Sequence, residues 1–184
     1  RAVVLEERSQ RTDNNPAARL SEQMFAALFQ NHPYGTPIIG WAHETAQLTL
    51  EDARSFYRRW YAPNNAVLVV SGDIDAETLR PLAEETYGLV PPNPDVPEKR
   101  VRPLEPDRAA PRRVVLRDAG VQQPSWRRYY LAPSYARDPE GHAYALQVLS
   151  EILGGGSTGR LYRSLVVDRQ LAVSAGSGYS GDNL

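Results

Sequence analysis

Seven prolines fall between Pro91 and Pro111, and they limit the fold more than any other feature of the chain. Proline fixes its own φ, has no backbone N–H to donate, and restricts the residue before it. Charged residues alternate with these prolines, and no apolar periodicity survives among them. Such a composition is typical of a linker. We therefore predict a linker over 92–111, between folded parts at 1–91 and 112–184.

Two helices of the first part are predicted by their start signals. Asn15 followed by Pro16 is a typical cap and first-turn pair, and apolar residues then recur at helical spacing to about Gln30. Thr49 and Asp52 are spaced as in a capping box, in front of a second apolar periodic stretch. The first stretch is predicted to bury one face, and the second is predicted to be a helix.

Two further helices are expected, one on each side of the linker. Asp75 is the predicted cap of a helix to about Tyr87, and Pro81 inside it predicts a kink or a late start. In the second part, Asp138 and Pro139 are expected to be the cap and first residue of a helix that ends at Gly154.

Four short apolar runs are predicted to be β-strands. They are rich in β-branched or aromatic residues and are bounded by turn-forming residues. Since helices and strands do not alternate regularly, the order favours an α+β fold of two consecutive halves over one doubly wound sheet. The predicted strands are residues 66–71, 113–117, 126–131 and 171–179.

The composition excludes several classes of function. The formal net charge is −1 and the sequence pI is about 6.4, so neither nucleic acid nor an anionic membrane is an expected partner. The chain has no cysteine, which rules out disulfides and thiolate metal sites. No apolar run approaches the length of about 20 residues that spans a bilayer.

No complete catalytic site is visible in the pattern of reactive residues. The three histidines are too far apart in sequence to share a helical turn, so a self-contained zinc site is not supported. His32 is predicted to pack or cap a loop, and His142 to face solvent. The run 154–159 lacks the preceding strand and following lysine of a phosphate-binding loop. Glu6 and Glu7, taken alone, indicate only a solvated helix face.

Several segments in order, however, resemble the M16 zinc peptidases, a family that includes pitrilysin, insulinase and the mitochondrial processing peptidases. The likeness is greatest to the bacterial branch of that family, and it covers almost the whole chain. The segments that carry it are 1–8 (RAVVLEER), 11–16 (RTDNNP), 32–40 (HPYGTPIIG), 49–60, 61–73 (YAPNNAVLVVSGD), 153–161 and 171–174.

The resemblance implies two incomplete α/β-sandwich units of the metallohydrolase type, each an antiparallel-rich sheet with helices on one face. The first would be the C-terminal half of the zinc-bearing domain and the second the N-terminal half of an inactive-type domain. In this family an H-x-x-E-H helix supplies two zinc-binding histidines and the general base, and a later glutamate completes the zinc site. The family register makes that glutamate Glu7, with Glu6 as its neighbour.

The chain is therefore expected to be an internal piece of a zinc endopeptidase that acts on peptides or unfolded polypeptides in an enclosed chamber. The H-x-x-E-H helix would lie upstream of Arg1, so this piece should hold no zinc and hydrolyse no peptide, although its parent uses zinc. Gly155 and Gly156 are candidate substrate-binding residues, because glycine lets a peptide backbone approach closely. A homodimer or heterodimer with another M16 subunit and a periplasmic location are also expected.

Two other interpretations remain open from the sequence. The first is a non-catalytic M16-like scaffold subunit that pairs with an active peptidase. The second is an unrelated α+β binding module whose glycine run binds a ligand. The presence or absence of H-x-x-E-H upstream distinguishes the peptidase from the scaffold.

Overall fold

The computed structural model describes residues 1–183, which form a helical chain. No helix within this described range is long and apolar enough to cross a membrane. Two π-helical segments, Ser9–Asp13 and Arg163–Asp168, continue the first and the last α-helix, respectively. The α-helices are α1 (Ala2–Arg8), α2 (Pro16–Leu28), α3 (Ala42–Gln47), α4 (Leu50–Trp60), α5 (Ala76–Thr86), α6 (His142–Gly154) and α7 (Arg160–Tyr162). Short 3₁₀ turns lie at Pro33–Gly35, Pro63–Asn65, Tyr87–Leu89 and Tyr135–Arg137.

The caps that the sequence predicts for α2 and α4 are present. The Asn15 carboxamide oxygen accepts the N–H groups of Ala17 and Ala18 at 3.0 and 3.2 Å. Thr49 and Asp52 form a reciprocal capping box, with Oγ1 accepting the Asp52 N–H at 3.2 Å and Oδ2 accepting the Thr49 N–H at 2.8 Å. These bonds satisfy N–H groups that a helix start leaves without partners, so both predicted helix starts are confirmed.

The predicted Asp75 cap of α5 is present, whereas α6 begins later than predicted. The Asp75 carboxylate accepts the Thr78 N–H at 2.7 Å, and α5 begins at once and continues through Pro81 without a late start. α6 begins at His142 rather than after Asp138, because Gly141 adopts a left-handed conformation with φ 76°. Asp138 still caps this helix from a distance, since its carboxylate accepts the Ala143 N–H.

The predicted α+β fold of two sandwich units is wrong, because residues 1–183 contain no β-strand. A strand is stabilised by backbone hydrogen bonds to a neighbouring strand. No backbone hydrogen bond within the described residues joins any of the four predicted strands to another. Their side chains are correspondingly open, and Val67 and Val69 are 88% and 83% exposed. The apolar, β-branched composition of these runs predicts buried strands, but the runs have no pairing partner and much of their apolar side-chain surface is exposed.

Contacts divide the chain into two units, Arg1–Ser125 and the residues from Trp126 onward. The prolines at 91–111, here called the proline segment, belong to the first unit. Asn93 in this segment donates its side-chain amide to the carbonyls of Arg58 and Arg59 at the end of α4. The division of the chain into parts of two family domains stays a prediction.

Glu105 anchors the proline segment to the loop after α2. Its carboxylate accepts the backbone N–H groups of Gln30, Asn31 and His32 at 2.6, 2.9 and 3.0 Å. Arg108 lies 3.3 Å from the same carboxylate and donates to the carbonyl of Ala27 at 2.9 Å. The segment is therefore held against the C-terminal end of α2 rather than free.

Few apolar side chains are buried in the described chain. Among the described residues, only Ala62 and Ala143 are buried apolar residues. The accessible surface is 15226 Å², whereas a compact protein of this mass exposes about 8,900 Å². Even two separate compact units of these lengths would expose only about 10,500 Å². Much of the apolar surface thus has no partner within these residues.

Candidate functional site

Glu7 lies in the last turn of α1, and its side chain is 46% exposed. Its carboxylate is 3.2 Å from the guanidinium of Arg11, one helical turn further along. The neighbouring Glu6 instead accepts a hydrogen bond from the Gln10 side chain at 3.1 Å. The two adjacent glutamates therefore project to different surroundings, each with a local partner and each open to solvent.

Arg8 follows Glu7 and has the opposite environment, since its side chain is only 7% exposed. Its guanidinium donates two hydrogen bonds to the Glu22 carboxylate of α2, at 2.7 and 2.9 Å. It also donates to the carbonyl of Gly40 at 2.9 Å and lies 3.4 Å from a carboxylate oxygen of Asp13. The hydrogen bond with Glu22 raises the pKa of Arg8 above its ordinary value, against the opposing effect of burial.

The histidines do not form a metal site in the described structure. His32 caps the 3₁₀ turn that follows it, accepting the Tyr34 N–H at 3.3 Å, and its ring packs 4.3 Å from that of Tyr34. This confirms the loop-packing role predicted for it. His142 is exposed, as predicted, and lies 3.4 Å from Glu140. No group of three or more potential metal ligands occurs among residues 1–183.

The glycine run after α6 is needed for close packing of the backbone. A Cβ on Gly154 would lie 2.1 Å from the backbone nitrogen of Ser177. The Ser177 hydroxyl donates to the carbonyl of Ser150 at 2.7 Å, so the segment around Ser177 lies directly against the end of α6. Gly156 has φ +108°, a conformation that other residues rarely adopt.

Gly155 differs from its neighbours, because only a side chain approaches it closely. A Cβ there would meet the carboxylate of Glu151 at 1.9 Å, and that flexible carboxylate can move aside. Gly155 also lines a shallow pocket of about 350 Å³ together with Glu151, Thr158 and Arg160. Both glycines predicted to bind substrate therefore border open space. Gly155 lines this pocket, and a Cβ on Gly156 would meet no atom within 4 Å, although its φ disfavours any other residue.

The sequence did not single out Arg8, Glu22 or Glu105, although each makes several specific polar contacts. Arg8 and Glu22 are 14 positions apart, and Glu105 is more than 70 positions from the amides that it binds. No local pattern connects such pairs. A buried charge within α1 has no distinctive sequence signal either, because the same helix carries exposed valines, with Val3 81% exposed.

The chain matches one family model and several known proteins. The family model for the peptidase M16 inactive domain matches residues 47–183. An uncharacterized zinc protease of Mycobacterium tuberculosis is 33% identical over 181 residues, a match that covers 95% of this chain and 39% of that protein. The zinc protease PqqE of Helicobacter pylori is 30% identical over 178 residues, with the same coverage of both chains.

A solved structure shows the same relationship. The crystal structure of a protease from Helicobacter pylori aligns with a TM-score of 0.68 at 27% identity, covering 98% of this chain and 43% of that one. The chain thus spans about two fifths of the length of the proteins that it matches. The family model alone covers well over half of the chain. From this match and from these relatives, the chain belongs to the M16 peptidase family.

Proposed function

We propose that the chain is part of a zinc endopeptidase that cleaves peptides or unfolded polypeptides, and that Glu7 is one of its zinc ligands. The observation that supports this proposal best is the position of Glu7. Its carboxylate is half-exposed, and the residue after it, Arg8, is held by hydrogen bonds to Glu22. The relatives named zinc proteases support the activity. The proposed activity is that of a longer protein, of which this chain would be one part.

The donor chemistry of Glu7 suits zinc, but one carboxylate does not make a site. Zinc sites in enzymes take three protein ligands from histidine, aspartate, glutamate or cysteine. Because no group of three such residues exists within 1–183, the remaining ligands must come from elsewhere in the parent protein. When bound, zinc supplies Lewis-acid activation of water. This chain contributes a negative charge at a fixed position.

Glu6 provides a matched control for the role of Glu7. In the full-length protein, Glu7→Gln should lower zinc affinity and peptide hydrolysis together by at least tenfold. Glu6→Gln should leave both within about twofold, because only the Gln10 contact changes. Zinc affinity is measured by competition with a chelator, and hydrolysis with an unstructured peptide. Full zinc binding by the Glu7→Gln protein would refute the proposal.

A second candidate is a non-catalytic scaffold subunit of the same family. One observation favours it, since the matching family model is described as an inactive domain and covers 47–183, a range that excludes Glu7. In a scaffold subunit Glu7 would bind no zinc, so the Glu7→Gln substitution would leave zinc binding unchanged. Such a subunit would stimulate hydrolysis only when mixed with an active subunit. The same titration therefore separates the two functions. Pairing with another M16 subunit and a periplasmic location remain part of the proposal.

A further inference from the structure

Every residue of α1 is described, and Arg8 is the only one of them that is buried. The apolar residues of this helix are not buried, and Val3 is 81% exposed. At its N-terminal end, α1 is tied by one further bond, from the Arg1 side chain to the carbonyl of Ala46 at 3.2 Å. The helix therefore has a charged anchor where most surface helices have an apolar one.

Polar contacts of Arg8 join α1 to two other parts of the chain and to its own helical continuation. Glu22 comes from α2, the Gly40 carbonyl from the loop before α3, and Asp13 from the π-helical segment after α1. Gly40 adopts φ +78°, a left-handed conformation that suits glycine. A guanidinium matches such an arrangement because its planar fork donates in several fixed directions.

Glu7 and Arg8 are consecutive on one helix, so their directions are linked. Successive residues of an α-helix are about 100° apart around the axis. Once Arg8 is held toward α2 by Glu22, the direction of Glu7 around the helix axis is also set, and the Glu7 side chain is exposed. Rotation of α1 about its axis would break the Arg8 bonds before it moved Glu7 far.

We propose that Arg8 is a positioning residue, which fixes the direction of the Glu7 carboxylate through its bonds to Glu22 and Gly40. This inference rests on the proposed function, because it assumes that Glu7 binds zinc. It adds that the geometry of the ligand is set by a buried ion pair between α1 and α2, and not by apolar packing of α1.

The test uses the full-length protein with Arg8→Lys, which keeps the charge but cannot bind Glu22 and Gly40 in the same fork. We expect zinc affinity to fall about tenfold, as for other residues that orient metal ligands. The catalytic rate kcat should fall while KM stays within about twofold, because the Arg8 side chain is buried and bonded to Glu22 and Gly40. Reversing the pair with Arg8→Glu and Glu22→Arg together should restore part of the zinc affinity lost in either single variant.

Two control variants separate positioning from loss of stability. Arg19→Met removes an ion pair from α2 to Asp118 at 2.8 Å without touching Arg8. Asn15→Ala removes the cap of the same helix. Both should lower the melting temperature and leave zinc affinity unchanged. If Arg8→Lys does not fold, Glu22→Gln takes its place and should show the same loss of zinc affinity.

The outcomes distinguish this inference from the proposed function. Wild-type zinc affinity in the Arg8→Lys protein would overturn the positioning role, as would a loss no larger than that of Asn15→Ala. If Glu7→Gln removes zinc while Arg8→Lys does not, the inference alone fails. If Glu7→Gln also retains zinc, the proposed function itself fails.

Discussion

At the scale of single residues, adjacent glycines at the end of α6 have different neighbours. A methyl group on Gly154 would collide with the backbone nitrogen of Ser177, whereas one on Gly155 would meet only the movable carboxylate of Glu151. We expect Gly154→Ala to lower the free energy of unfolding by about 1–3 kcal/mol, the usual cost of overpacking. Gly155→Ala should lower it by less than about 1 kcal/mol. Urea titration of both variants measures the difference.

The Gly155 variant also tests the proposed contact with substrate. In the full-length protein, Gly155→Ala should raise KM for a peptide if the backbone of that loop approaches the substrate closely. An unchanged KM at unchanged stability would remove Gly155 from the substrate-binding residues. Equal stability of the Gly154→Ala and wild-type proteins would contradict the packing described above.

Residues with local partners were the ones that the sequence predicted well. Asn15, Thr49 and His32 each bond to backbone groups two or three positions away, so their roles follow from short patterns. Arg8 and Glu105 bond to groups far along the chain. Their roles depend on contacts made only in the folded chain, and such long-range contacts cannot be predicted from a single sequence.

At the scale of elements, the proline segment offers a test that depends on pH. Burial opposes ionisation of Glu105, but the N–H groups of Asn31, Gln30 and His32, with Arg108, outweigh it and lower the pKa below its ordinary value. A carboxyl whose pKa is lower in the folded state stabilises the fold above its unfolded pKa, about 4.3. That contribution is lost as the pH falls through the folded pKa.

We therefore expect Glu105→Gln to be less stable than wild type at pH 7 by about 1–2 kcal/mol, because the charged acceptor of three N–H groups is lost. The difference should shrink as the pH falls below about 4. The exposed Glu98 of the same segment is the control, and Glu98→Gln should change stability by less than about 0.5 kcal/mol. Urea midpoints at several pH values measure this, and a pH-independent difference would contradict it.

Helices and strands differed in how far the sequence predicted them, for a physical reason. Helical hydrogen bonds join residues four apart, so α2, α4 and α5 follow from caps and periodicity near each residue. Strand bonds join distant segments. The run 66–71 has the composition of a strand, yet composition does not state which segment should pair with it. No strand pairing occurs within residues 1–183.

At the scale of the whole molecule, the exposed area predicts the behaviour of the chain in isolation. It exposes 15226 Å², well above the roughly 10,500 Å² of two separate compact units of these lengths. We expect the 184-residue chain alone to bind an apolar dye such as ANS and to unfold with a small urea m-value, since less surface remains to be exposed. A compact relative of similar length is the control. Absence of dye binding, with an m-value typical of its length, would contradict this reading.

The anchoring of the proline segment also decides where the protein can be divided for expression. A fragment that ends at residue 91 loses Glu105, and the amides of Gln30, Asn31 and His32 lose their shared acceptor. A boundary between Ser125 and Trp126 keeps all of those bonds inside one product. The proline segment resembles a domain linker, but a boundary within it would remove the Glu105 hydrogen bonds that hold the loop after α2.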